Sequence, residues 1–130
     1  MGMRIRRRRH ELHNIQALGD VNELSISGHV EHQPVAREDH DGERVYEFVL
    51  THTTLSLSGR WELQRYRVQA YGQLGAHYAT NWQPGQTTIV DGRLEYQLCD
   101  TLAGPRPRVW IVAHMIDDTL GPHPHHEHNE

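Results

Sequence analysis

Between Asn22 and His32 apolar residues recur at every second position, Leu24, Ile26 and Val30, with Gly28 on the same face. Alternation of that length predicts a strand with one buried face, and the internal glycine predicts a bend or bulge. Pro34 and the polar stretch 38–43, closed by Asp41-Gly42, read as a loop with a turn. Arg44 to Thr54 alternates again, with Tyr46, Phe48 and Leu50 on one face and Val45, Val49 and Thr51 on the other. After a break at 56–59, Arg60 to Tyr71 gives a third strand. Tyr66, Val68 and Ala70 share its inner face; Trp61, Leu63, Arg65, Arg67, Gln69 and Tyr71 share the other. Gln73 to Trp82 carries Leu74, Ala76, Tyr78, Ala79 and Trp82, a spacing that suits a short helix, and Pro84-Gly85 stops it. Gln86 to Leu98 is a fourth strand, with Thr88, Val90, Leu94 and Tyr96 in register around Gly92. The Gly/Pro-rich stretch 103–108 reads as a turn. Val109 to Ile116 is the fifth strand, with Trp110, Val112, His114 and Ile116 on one face.

Five strands with one short helix between the third and fourth is the element order of an all-β, five-stranded OB-fold, a Greek-key barrel. A five-stranded sandwich or an SH3-like barrel alternates in the same way, and the position of the helix decides between them. Glycines inside the first and fourth strands fit a barrel that coils tightly at its corners. The 130 residues suit one domain. The division expected is a flexible basic arm over 1–20, the barrel over 21–118, and a disordered His-rich tail over 119–130.

Charge complicates this picture. All 13 basic residues are arginine, and there are 12 histidines. Residues 1–13 hold five arginines against one glutamate, whereas 14–121 hold eight arginines against 14 acids. The body of the domain is therefore acidic, and net charge alone does not announce a nucleic-acid partner. The single cysteine, Cys99, excludes an internal disulfide framework and a multi-cysteine zinc site. No run reaches the roughly 20 apolar residues of a membrane-spanning helix, and the basic start lacks the apolar stretch of a secretory signal. A cytoplasmic protein without membrane attachment is expected. His123, His125, His126 and His128 have the composition of metal ligands but no neighbours to orient them, so no metal or other cofactor is expected. Nothing matches a nucleophile elbow, a phosphate loop or a catalytic carboxylate pair, and no enzyme is expected.

Several stretches resemble bacterial single-stranded DNA-binding proteins. Asn22 to Val30 with Pro34 and Arg37 is similar to that family's first strand and following loop, and Gly42, Val45 and Phe48-Val49-Leu50 to its second strand. Tyr66-Arg67-Val68 leading to Tyr71-Gly72-Gln73-Leu74 resembles its third strand and the entry to its helix. Pro84-Gly85 followed by Val90-Asp91-Gly92-Arg93-Leu94 resembles the signature that opens its fourth strand. Phe48-Val49-Leu50 with His52, and Gln69-Ala70-Tyr71, look equally like the related primosomal replication proteins of the PriB type. Two departures stand out. The family's acidic tail has no counterpart in 122–130, and two tryptophan platforms of its better-known members fall on Arg65 and Cys99.

The resemblance implies binding of single-stranded DNA, or RNA, with little sequence preference, in support of replication, recombination or repair. It also implies a homodimer or homotetramer, nucleoid association and contact with replication or repair proteins. A PriB-like replication-restart adaptor and a protein-interaction module without nucleic-acid binding stay open as alternatives. Capture of single strands needs aromatic faces for bases and cations for phosphates. Arg65, Arg67 and Tyr71 meet that need on one strand face; the competing reading is an ordinary solvated face. Trp61 serves either as an exposed clamp or as a plug at one end of the barrel. Arg93 and Tyr96, with Arg106 and Arg108 in the hairpin turn, are candidates to track phosphates, although turn arginines often only solubilise. Trp110 and Trp82 read as core or interface residues.

Overall fold

The computed structural model describes residues 20–118. The expected arm, apart from Asp20, and the expected tail lie outside the described residues. The elements are β1 (Leu24–Val30), β2 (Val35–Glu38), β3 (Arg44–Leu55), β4 (Trp61–Tyr71), α1 (Gly72–Asn81), β5 (Thr87–Thr101) and β6 (Gly104–Asp117). They pair in the order β1-β5-β6-β4-β3-β2, and β1 pairs with β3 as well. That second pairing closes five strands into a barrel and leaves β2 as an addition outside it. All pairs are antiparallel except β4 with β6.

The interior is built from the alternating residues that the sequence marks. Leu24, Ile26, Val30, Phe48, Leu50, Val68, Ala70 and Val90 form one buried cluster with Ile111 and Ala113. Full burial of such a side chain contributes about 1.5–3 kcal/mol each before entropy is counted. Helix α1 packs on this cluster through Tyr78, whose ring lies 5.2 Å from that of Phe48. The Tyr78 hydroxyl and Thr88 Oγ1 share a 2.7 Å hydrogen bond. Trp82 packs against the same cluster, half-buried.

Closure depends on two glycines. β1 runs along β5 from Leu24 to His29, then pairs with β3 at His29 and Val30. A Cβ on Gly28 would lie 2.0 Å from the Thr51 carbonyl oxygen, so the corner admits no side chain. A Cβ on Gly92 would likewise meet the Val112 carbonyl oxygen at 2.2 Å. At the same point the β5–β6 register slips. Asp91 pairs with Met115 and Gly92 with Ala113, which leaves His114 as an extra residue.

Three expectations need correction. The loop at 34–43 contains a strand: β2 pairs residue by residue with Arg44–Glu47. All four of its residues are exposed, so it has no apolar period to read. The stretch 103–108 is mostly strand, because β5 and β6 continue as a two-stranded ribbon that turns only at Leu102-Ala103. Pro105 and Pro107 are tolerated there because β6 meets β4 only at Ile111 and Val112, leaving the ribbon a free edge for the missing N–H groups. Finally, Ile116 does not share a face with Trp110. The bulge at His114 inverts the alternation and returns Ile116 to the core.

Candidate nucleic-acid interface

The β3–β4 hairpin sets the geometry. Directly opposed residues share a face, and the register places Leu55 opposite Trp61, Thr53 opposite Leu63, Thr51 opposite Arg65, Val49 opposite Arg67 and Val45 opposite Tyr71. Trp61, Leu63, Arg65, Arg67, Gln69 and Tyr71 therefore form one line down the outside of the barrel. Trp61 is 71 % exposed, beside the exposed Leu55 and Leu63, so it does not plug the barrel.

The ribbon adds to this face. Val112 lies beside Gln69 on the β4–β6 pairing, and Arg93, Glu95, Gln97 and Cys99 sit opposite Val112, Trp110, Arg108 and Arg106. Arg93, Arg106 and Arg108 thus look the same way as Arg67, the latter two from strand β6 and not from a turn. Tyr96 does not join them. Three residues beyond Arg93 on one strand, it points to the opposite face, 73 % exposed among Leu94, Leu98 and Val109.

A ladder of polar side chains crosses the upper part of the face. Arg37 holds Glu47 at 2.6 Å, and this hydrogen bond raises the guanidinium pKa above its ordinary value. Gln69 Nε2 donates to Glu47 Oε2 at 2.8 Å, Gln97 Nε2 donates to Gln69 Oε1 at 2.9 Å and to Glu95 Oε1 at 3.1 Å, and Arg93 Nε donates to Glu95 Oε2 at 3.1 Å. Because β6 lies between β4 and β5, the Gln69–Gln97 bond passes over it. Two of the β6 residues on that face, Trp110 and Val112, are 9 % and 4 % exposed. Trp110 is thus buried on the outside of the barrel, apart from the main core cluster.

Next to this ladder lies a cleft of about 900 Å³, walled by Tyr71, Gln69, Gln97 and Arg93 and rimmed by Asp39, Asp41, Glu43 and Asp100. Burial raises the Tyr71 phenol pKa above its ordinary value, and the negative charges of Asp39 and Glu95 raise it further. Lower on the face, Arg65 Nε binds Glu31 at 2.6 Å. Arg67, Arg106 and Arg108 have no carboxylate partner among the described residues. The outer face therefore divides into a lower half around Trp61, Arg65 and Arg67 and an acid-rimmed cleft at the Tyr71 end, in which Arg37 and Arg93 are neutralised and beside which Arg106 and Arg108 stand across the ribbon from Cys99 and Gln97.

Sequence reading missed the ladder. The face assignment of Gln69 was legible from period two, but its burial to 1 % exposure was not, because its partners Glu47 and Gln97 come from strands 22 and 28 residues away. No cluster able to hold a metal ion occurs among the described residues, and none of their helices is long and apolar enough to cross a membrane.

Comparison with known proteins agrees with this architecture. No curated protein matches. A crystal structure of a deletion mutant of the single-stranded DNA binding protein from Thermus aquaticus superposes with a TM-score of 0.58 at 23 % sequence identity. The match covers 75 % of this chain and 49 % of that one, so the chain spans about half the length of its structural relative and the likeness is one of fold. The model of the single-strand binding protein family matches residues 21–116, nearly the whole of the barrel domain. The chain belongs to the single-strand binding protein family.

Proposed function

We propose that this protein binds unpaired DNA along the β4 line on the outer face of the barrel, as a binding protein and not an enzyme. The observation that carries the reading is the line of Trp61, Arg65, Arg67 and Tyr71 on one strand face, flanked by Arg106 and Arg108 from the ribbon. Stacking on an aromatic or guanidinium plane contributes about 1–3 kcal/mol per base and tolerates any base. The unpaired arginines supply the phosphate contacts. RNA has the same faces and charges and is a second substrate of this surface.

Support of replication, recombination or repair in the cytoplasm, at the nucleoid, follows as the cellular role. Assembly into a dimer or tetramer is part of the proposal. β1 pairs with β3 only at His29 and Val30, which leaves the other edge of 24–28 without a strand partner among the described residues. A second reading, in which the domain also holds a replication or repair protein as a restart adaptor, is favoured by the apolar reverse of the ribbon, where Leu94, Tyr96, Leu98 and Val109 are exposed.

Titration with dT oligomers at several salt concentrations, followed by tryptophan fluorescence, tests the main reading. Binding whose log–log salt slope is about −0.7 per phosphate contact is expected. No binding at low salt overturns it.

A further inference from the structure

The ladder contains a pair of amides that bind each other in both directions. Gln97 Nε2 donates to Gln69 Oε1 at 2.9 Å, and Gln69 Nε2 donates to Gln97 Oε1 at 3.4 Å. Gln69 is held in one orientation, because its other N–H donates to the carboxylate of Glu47. It therefore presents a fixed acceptor beside a fixed donor. Gln97 is the more accessible partner: half-buried and on a ribbon free at one edge, with its Nε2 shared between Gln69 and Glu95, whereas Gln69 is 1 % exposed. Close by, Trp110 carries an indole N–H that is buried without an acceptor, a state that costs about 1–3 kcal/mol. Trp110 pairs across the ribbon with Glu95, on the face the amides cover. The adjoining cleft of about 900 Å³ has room for a nucleotide, and Tyr71 forms part of its wall.

We propose that this cleft is a pocket for the Watson–Crick edge of one unpaired base, with Gln69 as the residue that reads the edge and Gln97 as the group that the base displaces. The proposal rests on the reading of the chain as a single-strand binder and deepens it. All four bases carry a donor beside an acceptor on that edge, so an amide accepts each of them, whereas the edge is occupied in a duplex. The pocket selects for unpaired strands without selecting a sequence. Its acidic rim turns phosphates away, so the base alone enters and the backbone stays beside Arg67, Arg106 and Arg108.

The test compares a dT oligomer with one of equal length built from N3-methylthymidine, in which the edge donor is blocked while ring and charge are retained. The full chain is expected to bind the methylated oligomer about three- to tenfold more weakly, the equivalent of a lost hydrogen bond. In Gln69→Leu the difference disappears. In Gln97→Ala, which removes the competing amide without disturbing the core, it widens. Equal affinity of the wild-type chain for the two oligomers overturns the pocket while leaving single-strand binding intact. A difference that survives in Gln69→Leu removes the edge-reading role from Gln69. Failure to bind either oligomer overturns the pocket together with the reading beneath it.

Discussion

The two ends of β4 carry the same alternation on the same face and have opposite chemistry. Near Trp61 the strand leaves the barrel in a bare hairpin, where the side chains across from it are Leu55, Thr53 and Thr51. Arg67 is then unpaired, and only Arg65 meets a carboxylate. Near Tyr71 the strand is enclosed by β2, the turn after it and the ribbon, which bring Asp39, Asp41, Glu43, Glu95 and Asp100 around the same face. The lesson is that a strand's own sequence fixes which way its arginines and aromatics point, while its neighbours decide whether the charge is available.

Both ends depend on the corner at Gly28, so its replacement has the largest effect. Gly28→Ala places a methyl against the Thr51 carbonyl and is expected to destabilise the domain by about 3 kcal/mol, measured by urea unfolding. Retention of wild-type stability would show that β1 can close the barrel by another route.

Trp61→Ala comes next, with an expected loss of about 1–3 kcal/mol in single-strand affinity and little change in stability, since the ring is exposed. An unchanged dissociation constant removes the lower half from the site. Arginine substitutions then sharpen the contrast between the halves. Arg67→Ala should reduce the salt slope by about 0.7, while Arg93→Ala, whose cation already faces Glu95, should reduce it less. Equal slopes in the two variants would show that the two halves of the face are electrostatically alike.

The smallest effect is read by pH. Folding holds the Tyr71 and Tyr78 protons more tightly than the unfolded chain does, chiefly through burial. Their contribution to stability is complete below the unfolded value of about 10 and is lost as pH rises through the folded values. Glu95→Gln should move the Tyr71 titration back toward the ordinary value, because one of the charges that raises it is gone. Ultraviolet titration of the phenolate checks this, and an unmoved curve would place the cause elsewhere.

Period two made the barrel legible: the inward sets of β1, β3, β4 and the first half of β5 are those the alternation marks, and the helix lies within one residue of its expected bounds at each end. What escaped lacked such a period. β2 exposes all its residues, and the start of β6 hides behind two prolines that a free edge tolerates. In the site, the β4 line was legible for the same reason. The pairing of Arg65 with Glu31 and of Gln69 with Glu47 was not, because contacts across strands are set by register and leave no local trace in the chain. Tyr96 lies close to Arg93 in sequence, yet an odd separation on one strand puts the two on opposite faces.

The extra residue at His114 has a consequence for how this molecule can change. Deleting it would leave every remaining side chain on its present face and with its present partner, since the pairs on either side already match. What would go is the added bend and twist at the place where the ribbon departs from the barrel. The direction in which the ribbon of this protein reaches is thus inherited separately from what it carries: a lineage could re-aim it by losing one codon, with no contact residue exchanged.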